Sequence, residues 1–65
     1  MYIKITFFAD DTAQITECDN EGLKSRRTTR ALRAVFWMAK QEKTWKWYKD
    51  DEGNKVAIWE KELAE

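Results

Sequence analysis

The spacing of apolar residues changes period twice along this chain. In Tyr2-Ile3-Lys4-Ile5-Thr6-Phe7-Phe8, β-branched and aromatic side chains alternate in direction. Ile3, Ile5 and Phe7 point one way, and Tyr2, Lys4, Thr6 and Phe8 the other, which predicts a strand over 2–8. Asp10-Asp11 supply turn chemistry. A second strand is expected at about 12–18 with Ala13 and Ile15 inward, ended by Asp19-Asn20-Glu21-Gly22.

From about Thr28 to Gln41 there is no Gly, Pro or Asn. At 100° per residue, Ala31, Leu32, Val35, Met38 and Ala39 gather on one side. Arg26, Arg30, Arg33, Trp37 and Lys40 gather opposite them, with Phe36 between. That pattern predicts an amphipathic helix. From Thr44 the period returns to two, with Trp45 and Trp47 set against Lys46 and Tyr48. Asp50-Asp51-Glu52-Gly53-Asn54 reads as a hairpin turn with Gly53 left-handed. Lys55 to Glu60 is the last strand, and Lys61 to Glu65 is expected to fray.

The expected fold is α+β: a single β-β-α-β-β domain over residues 1–65. Its four-stranded mixed sheet would carry one amphipathic helix on one face. A right-handed crossover would set the first and last strands parallel in the centre. Ile3, Ile5, Phe7, Trp45, Trp47, Val56 and Ile58 would face the helix. A register slip of one residue in the second hairpin would swap the faces of the last strand.

Composition narrows the class. A 65-residue chain builds only a thin core, and nine aromatics are the expected substitute for staples. Cys18 is alone, so no internal disulfide forms. No apolar run reaches the roughly 20 residues needed to span a bilayer. No signal peptide is evident at the start of the chain. A cytoplasmic protein without membrane contact is expected.

Catalysis finds little support. There is no His, and Cys18 has no imidazole to activate it. The acids Asp10, Asp11, Asp50, Asp51 and Glu52 sit at turns, where such residues cap their own backbone. No phosphate loop or metal-ligand spacing is present. A non-enzymatic protein without metal or cofactor is expected.

Charge is the informative feature. The chain is neutral overall, but Lys24 to Lys46 holds eight Lys or Arg and one acid, Glu42. Arg26, Arg27, Arg30, Arg33, Trp37 and Lys40 are the candidate partner-binding residues. Arg26, Arg27 and Arg30 fall at or near the helix start, where a cation opposes the helix dipole. Anion capture would explain them. So would internal pairing, with the 50–52 turn near those arginines and Asp10-Asp11 near Lys40 and Lys43. Arg33 would stack on Trp37 one turn away. The second candidate face is the open side of the sheet, with Tyr2, Phe8, Tyr48 and Trp59 among lysines. It would stack bases or pair with a second copy as a homodimer.

These features support a small protein-interaction module whose partner presents an acidic protein surface. Compact autonomous chains of this kind are common among phage and mobile-element proteins that inhibit or modulate a larger machine. An inhibitor or modulator of that kind, viral in origin, is one form the module would take. The alternative is a nucleic-acid-binding domain using the basic helix or the aromatic sheet face. A continuous positive track would favour nucleic acid.

Overall fold

The computed structural model describes residues 1–61; of the segment Lys61 to Glu65 expected to fray, Lys61 is instead tied down, its N–H donating to the Met1 carbonyl at 2.9 Å, and 62–65 lie outside the described residues. The described chain forms β1 (Tyr2–Phe7), β2 (Ala13–Asp19), β3 (Gly22–Thr28), α1 (Ala31–Lys40), β4 (Lys46–Lys49) and β5 (Lys55–Glu60). The class is α+β, as expected, but the sheet has five strands in the order β3-β2-β1-β5-β4.

The unexpected strand is β3. It pairs with β2 from Ala13↔Thr28 to Asp19↔Gly22, so Asn20-Glu21 is a two-residue hairpin loop. Gly22, at φ 130, takes a backbone conformation that L side chains rarely adopt. The extra strand reverses the direction of everything after it. The helix therefore runs the opposite way along the sheet, and β1 and β5 meet antiparallel with Ile5 opposite Ala57. Every pairing in the sheet is antiparallel. The expected parallel centre is replaced for this reason alone.

The reversal also moves the acidic turns. Asp10-Asp11 lies at the start of α1, not beside Lys40 and Lys43. The Ala31 N–H donates to the Asp11 carbonyl at 2.8 Å and faces its Oδ1 at 3.3 Å. Arg30, at the N-cap position, makes no side-chain cap. Asp11, held at φ 66, is the remote cap and places a carboxylate where the helix dipole favours one. The 50–52 turn is at the same end of the sheet but on the β4–β5 side, several strands away from α1.

Most of the core lies between sheet and helix; Val56, also fully buried, is on the opposite face of the sheet. Ile3, Ile5, Ala13, Ile15 and Ala57 from the sheet meet Ala34 and Met38 from α1, with Phe7, Trp37, Trp45 and Trp59 packed at its margin. Two expectations about facing fail. On the helix, the inward face is Ala34 and Met38, whereas Leu32 and Val35 are exposed. The helix carries apolar residues on two sides, and the sheet takes the narrower, smaller set because Ala34 permits close approach. On β5 the one-residue slip occurs. Ala57 and Trp59 share the face of Ile5 and Ile3, while Val56 and Ile58 point to the outer face. Trp47 stays on the inner face, opposite Ala57, but is 56% exposed and is not a core residue.

Both sheet edges carry cations: Lys24, Arg26 and Arg27 on β3, and Lys46 and Lys49 on β4. Such charges discourage edge-to-edge pairing.

The turns are held by their own acids. Asp50 accepts hydrogen bonds from the N–H groups of Asn54 (2.8 Å) and Glu52 (3.0 Å), and from the Asn54 amide (3.1 Å). The Asn54 N–H is the chief reason the Asp50 carboxyl stays ionised below its ordinary value of 3.8. A carboxyl depressed on folding stabilises at pH above its unfolded value, and that contribution is lost as pH falls through the folded value. Asp50→Ala should therefore lower the urea midpoint at neutral pH. The gap from wild type should shrink on acidification below the carboxylate range. An equal gap at both pH values would show that the ionised carboxylate is not what holds this turn.

Candidate binding groove

Edge strand β3 and helix α1 do not close on each other along their length. Between them runs an open groove of about 330 Å³ lined by Ile15, Arg26, Arg27, Thr28, Arg33 and Trp37. It continues past Trp37 into a second hollow of about 410 Å³ that adds Lys24, Glu17 and Gln41. Arg26 and Trp37 border both.

Strand geometry places the side chains. Arg26 is opposite Ile15 and Lys24 opposite Glu17, so both lie on the helix-bearing face of the sheet. Thr28, opposite the buried Ala13, is on the same face and donates from its hydroxyl to the Arg30 carbonyl at 3.1 Å. Arg27 belongs to the outer face. Its guanidinium lies over the Phe8 ring at 4.4 Å and donates to Thr12 Oγ1 at 3.2 Å. On the helix, Trp37 sits between the core and the groove. The Arg26 guanidinium, 5.2 Å from its ring centroid, covers it. Arg33, one turn before, adds a second cation from the helix side.

Of the six residues expected to bind, three bring their side chains together here: Arg26, Arg33 and Trp37; Arg27 borders the groove but sends its guanidinium to the outer face. The route differs from the expected one. Arg26 and Arg27 belong to a strand, so they are not cations at a helix start, and only Arg26 reaches into the groove. The partner of Trp37 is Arg26 across the groove, in place of Arg33 along the helix. Arg30 and Lys40 are exposed and do not line either hollow. Lys40 stands in the last helical turn, where a cation suits the dipole. Lys24, Thr28 and Gln41 were not foreseen. The signal that would have found Lys24 is its alternation with Arg26 in a strand.

The turn acids are engaged locally and do not neutralise the groove. Asp10 accepts from the Thr12 hydroxyl and N–H, which hold its carboxyl below the ordinary value, with Arg27 adding a smaller attraction. Asp19 accepts from the Glu21 N–H at 2.8 Å. These are Asx turns.

The second candidate face does not assemble. Trp59 is on the inner face, with Lys43 Nζ 4.2 Å from its ring centroid. Phe8 is paired with Arg27. Tyr2 lies opposite Glu60 and Tyr48 opposite Val56. That puts the two tyrosines two strands and about four residues apart, or roughly 17 Å by strand spacing and rise. Four aromatics so distributed make no stacking platform.

Among the described residues no cluster of His, Cys, Asp and Glu could hold a metal ion. Among the described residues no helix is long and apolar enough to cross a membrane. Cys18 is free and half-buried on the outer face. No protein-family model, curated protein or solved structure matches the chain.

Proposed function

We propose that this protein is a non-enzymatic binding module that takes an acidic segment of a protein partner into the groove between β3 and α1. The observation that carries the reading is the convergence of Arg26, Arg33 and Trp37 on one open groove. Arginine and tryptophan are the residue types that dominate interface anchors. A guanidinium already resting on an indole offers its remaining N–H groups to a carboxylate without first being ordered.

A protein partner is favoured over nucleic acid by the groove's ends. The Asp11 carboxylate stands at the start of α1, just past the Thr28 end of the lining, and Glu17 lies in the hollow at the other end. A phosphate backbone needs a positive track longer than that interval. A role as inhibitor or modulator of a larger machine, in a phage or mobile-element setting, fits a small module of this kind.

The test compares wild type with Arg26→Glu/Arg33→Glu in pull-downs from the native host, followed by titration of the captured partner. Reversal should leave the fold intact, because both side chains are exposed. It should abolish capture of a protein, since repulsion replaces steering. Enrichment of nucleic acid, with affinity falling log-linearly in salt, would transfer the reading to the alternative. Equal capture by both forms would remove the groove from consideration.

A further inference from the structure

Strand β3 is the last strand on its side of the sheet, and its outward edge is unpaired. The register fixes which backbone groups lie there. Asp19↔Gly22 closes the two-residue loop and exchanges both its hydrogen bonds, and such pairs recur at every second position of an antiparallel ladder. Gly22, Lys24, Arg26 and Thr28 therefore direct their N–H and C=O groups to β2. Leu23, Ser25 and Arg27 direct theirs outward, and nothing among the described residues pairs with them.

Of the devices that protect a sheet edge, β3 has only charge. It is seven residues long, holds no Pro and no bulge, and only Thr28 is shielded from solvent. The edge at the other side, β4, has four residues. Lys24 and Arg26 stand on the inner face of β3, and Arg27 on the outer. Charge of one sign deters selectively. Two copies paired antiparallel about Ser25 would set Lys24 against Arg26 twice, and directly opposed like charges destabilise a sheet. A strand with acids at those positions meets the same cations as partners.

We propose that the partner's acidic segment binds as a sixth strand, added to the free edge of β3. The proposal rests on the groove reading above and specifies how the segment is held. Leu23, Ser25 and Arg27 supply the main-chain hydrogen bonds, as in strand addition at other exposed sheet edges. Side chains of the added strand alternate between faces. Its inward set lies opposite Lys24 and Arg26, on the side of the sheet that carries Arg33 and Trp37. Acids belong there, since neither β3 nor α1 contains one. Glu17 is opposite Lys24 on β2, which leaves Arg26 and Arg33 as the stronger attraction. The outward set lies beside Leu23 and Ser25, which are uncharged, and beside Arg27, already held by Phe8 and Thr12. Uncharged β-branched residues suit that side. The occupant is thus an extended segment alternating acidic with β-branched residues.

The probe is a synthetic peptide, blocked at both ends, in which glutamate alternates with valine over about the length of β3. On binding, amide exchange at Leu23, Ser25 and Arg27 should slow, while Lys24 and Arg26, already bonded to β2, should not change. A peptide with lysine in place of glutamate should bind at least tenfold more weakly, and so should the glutamate peptide to Arg26→Glu. Two N-methylated peptides decide the conformation. Successive N–H groups of a strand point to opposite edges, so methylating the valines or the glutamates removes the donors of one edge only. One form should bind like the parent and the other at least tenfold more weakly. Ser25→Pro removes an outward N–H and no bond to β2, a position where an edge strand tolerates proline. That variant should fold and bind at least tenfold more weakly. Strand addition is overturned if the glutamate peptide does not bind, if both methylated forms behave alike, or if exchange at Leu23, Ser25 and Arg27 is unchanged. Slowed exchange in β4 instead overturns it equally. The groove reading then stands or falls on its own test, the Arg26→Glu/Arg33→Glu pull-down.

Discussion

Ile5→Ala should unfold the protein. Ile5 is fully buried at the centre of the sheet, between Ile15 of β2 and Ala57 of β5 in register. Truncating a buried isoleucine to alanine costs about 2–5 kcal/mol, from lost transfer energy and the cavity left behind. A domain of this length has about 3–10 kcal/mol of stability in all. The site cannot collapse to fill the void, because its neighbours are held by strand pairing on both sides. Circular dichroism and urea titration should show a form that is largely unfolded, or one unfolding at a far lower midpoint than wild type. Trp47→Ala, by contrast, should remain folded, because more than half of that side chain faces solvent. If Trp47→Ala unfolds the chain and Ile5→Ala does not, the core has been misplaced by one strand.

The second large effect is expected at Trp37, where core and groove share a side chain. Trp37 packs against the buried cluster and carries Arg26 on its other surface. Trp37→Ala should cost about 2–4 kcal/mol, toward the lower end for aromatic truncation because the ring is only half-buried. That loss alone would weaken binding, so the informative companion is Trp37→Leu. Leucine retains apolar contact with the core but offers no π-face to a guanidinium. The leucine variant should fold with nearly the stability of wild type. It should bind the partner captured in pull-downs about tenfold or more weakly, as expected for an anchor. Full binding by a folded Trp37→Leu variant would reduce Trp37 to a packing residue and leave the arginines to act alone.

Legibility in the sequence followed burial. The alternation of Ile3, Ile5 and Phe7 gave β1, and Lys55 to Glu60 was read with its true bounds, because half of each strand answers to a core. Strand β3 was invisible for the opposite reason. In Gly-Leu-Lys-Ser-Arg-Arg-Thr only Thr28 is shielded from solvent. An edge strand that buries nothing has no apolar alternation to read, and its arginines looked like the approach to a helix. That one omission inverted the direction of α1, the β1–β5 pairing and the position of the Asp10-Asp11 turn. The helix was located but its inward face was misjudged. Leu32 and Val35 were assigned to the core along with Met38, whereas the sheet packs against Ala34 and Met38. Periodicity reports that a helix has an apolar side; it does not say which of two such sides meets the rest of the chain. The basic, aromatic character of the site was legible because it depends on composition. Its assembly from a strand and a helix was not.

The order of strands has a consequence during synthesis. The first 28 residues hold a complete three-stranded meander whose pairings are all local. β5 reaches β1 only from the far end of the chain, since Ile5 and Ala57 are 52 positions apart. A nascent chain on which the meander has formed therefore exposes the free edge of β1 until the last hairpin emerges. That edge carries Ile3, Ile5 and Phe7 with Lys4 as its one charge. The finished molecule is bounded by two lysine- and arginine-bearing strands; its unfinished form is bounded on one side by its most apolar one. Exposure to edge-to-edge association is thus concentrated in the interval before residues 55–60 are made, and it ends when β5 docks.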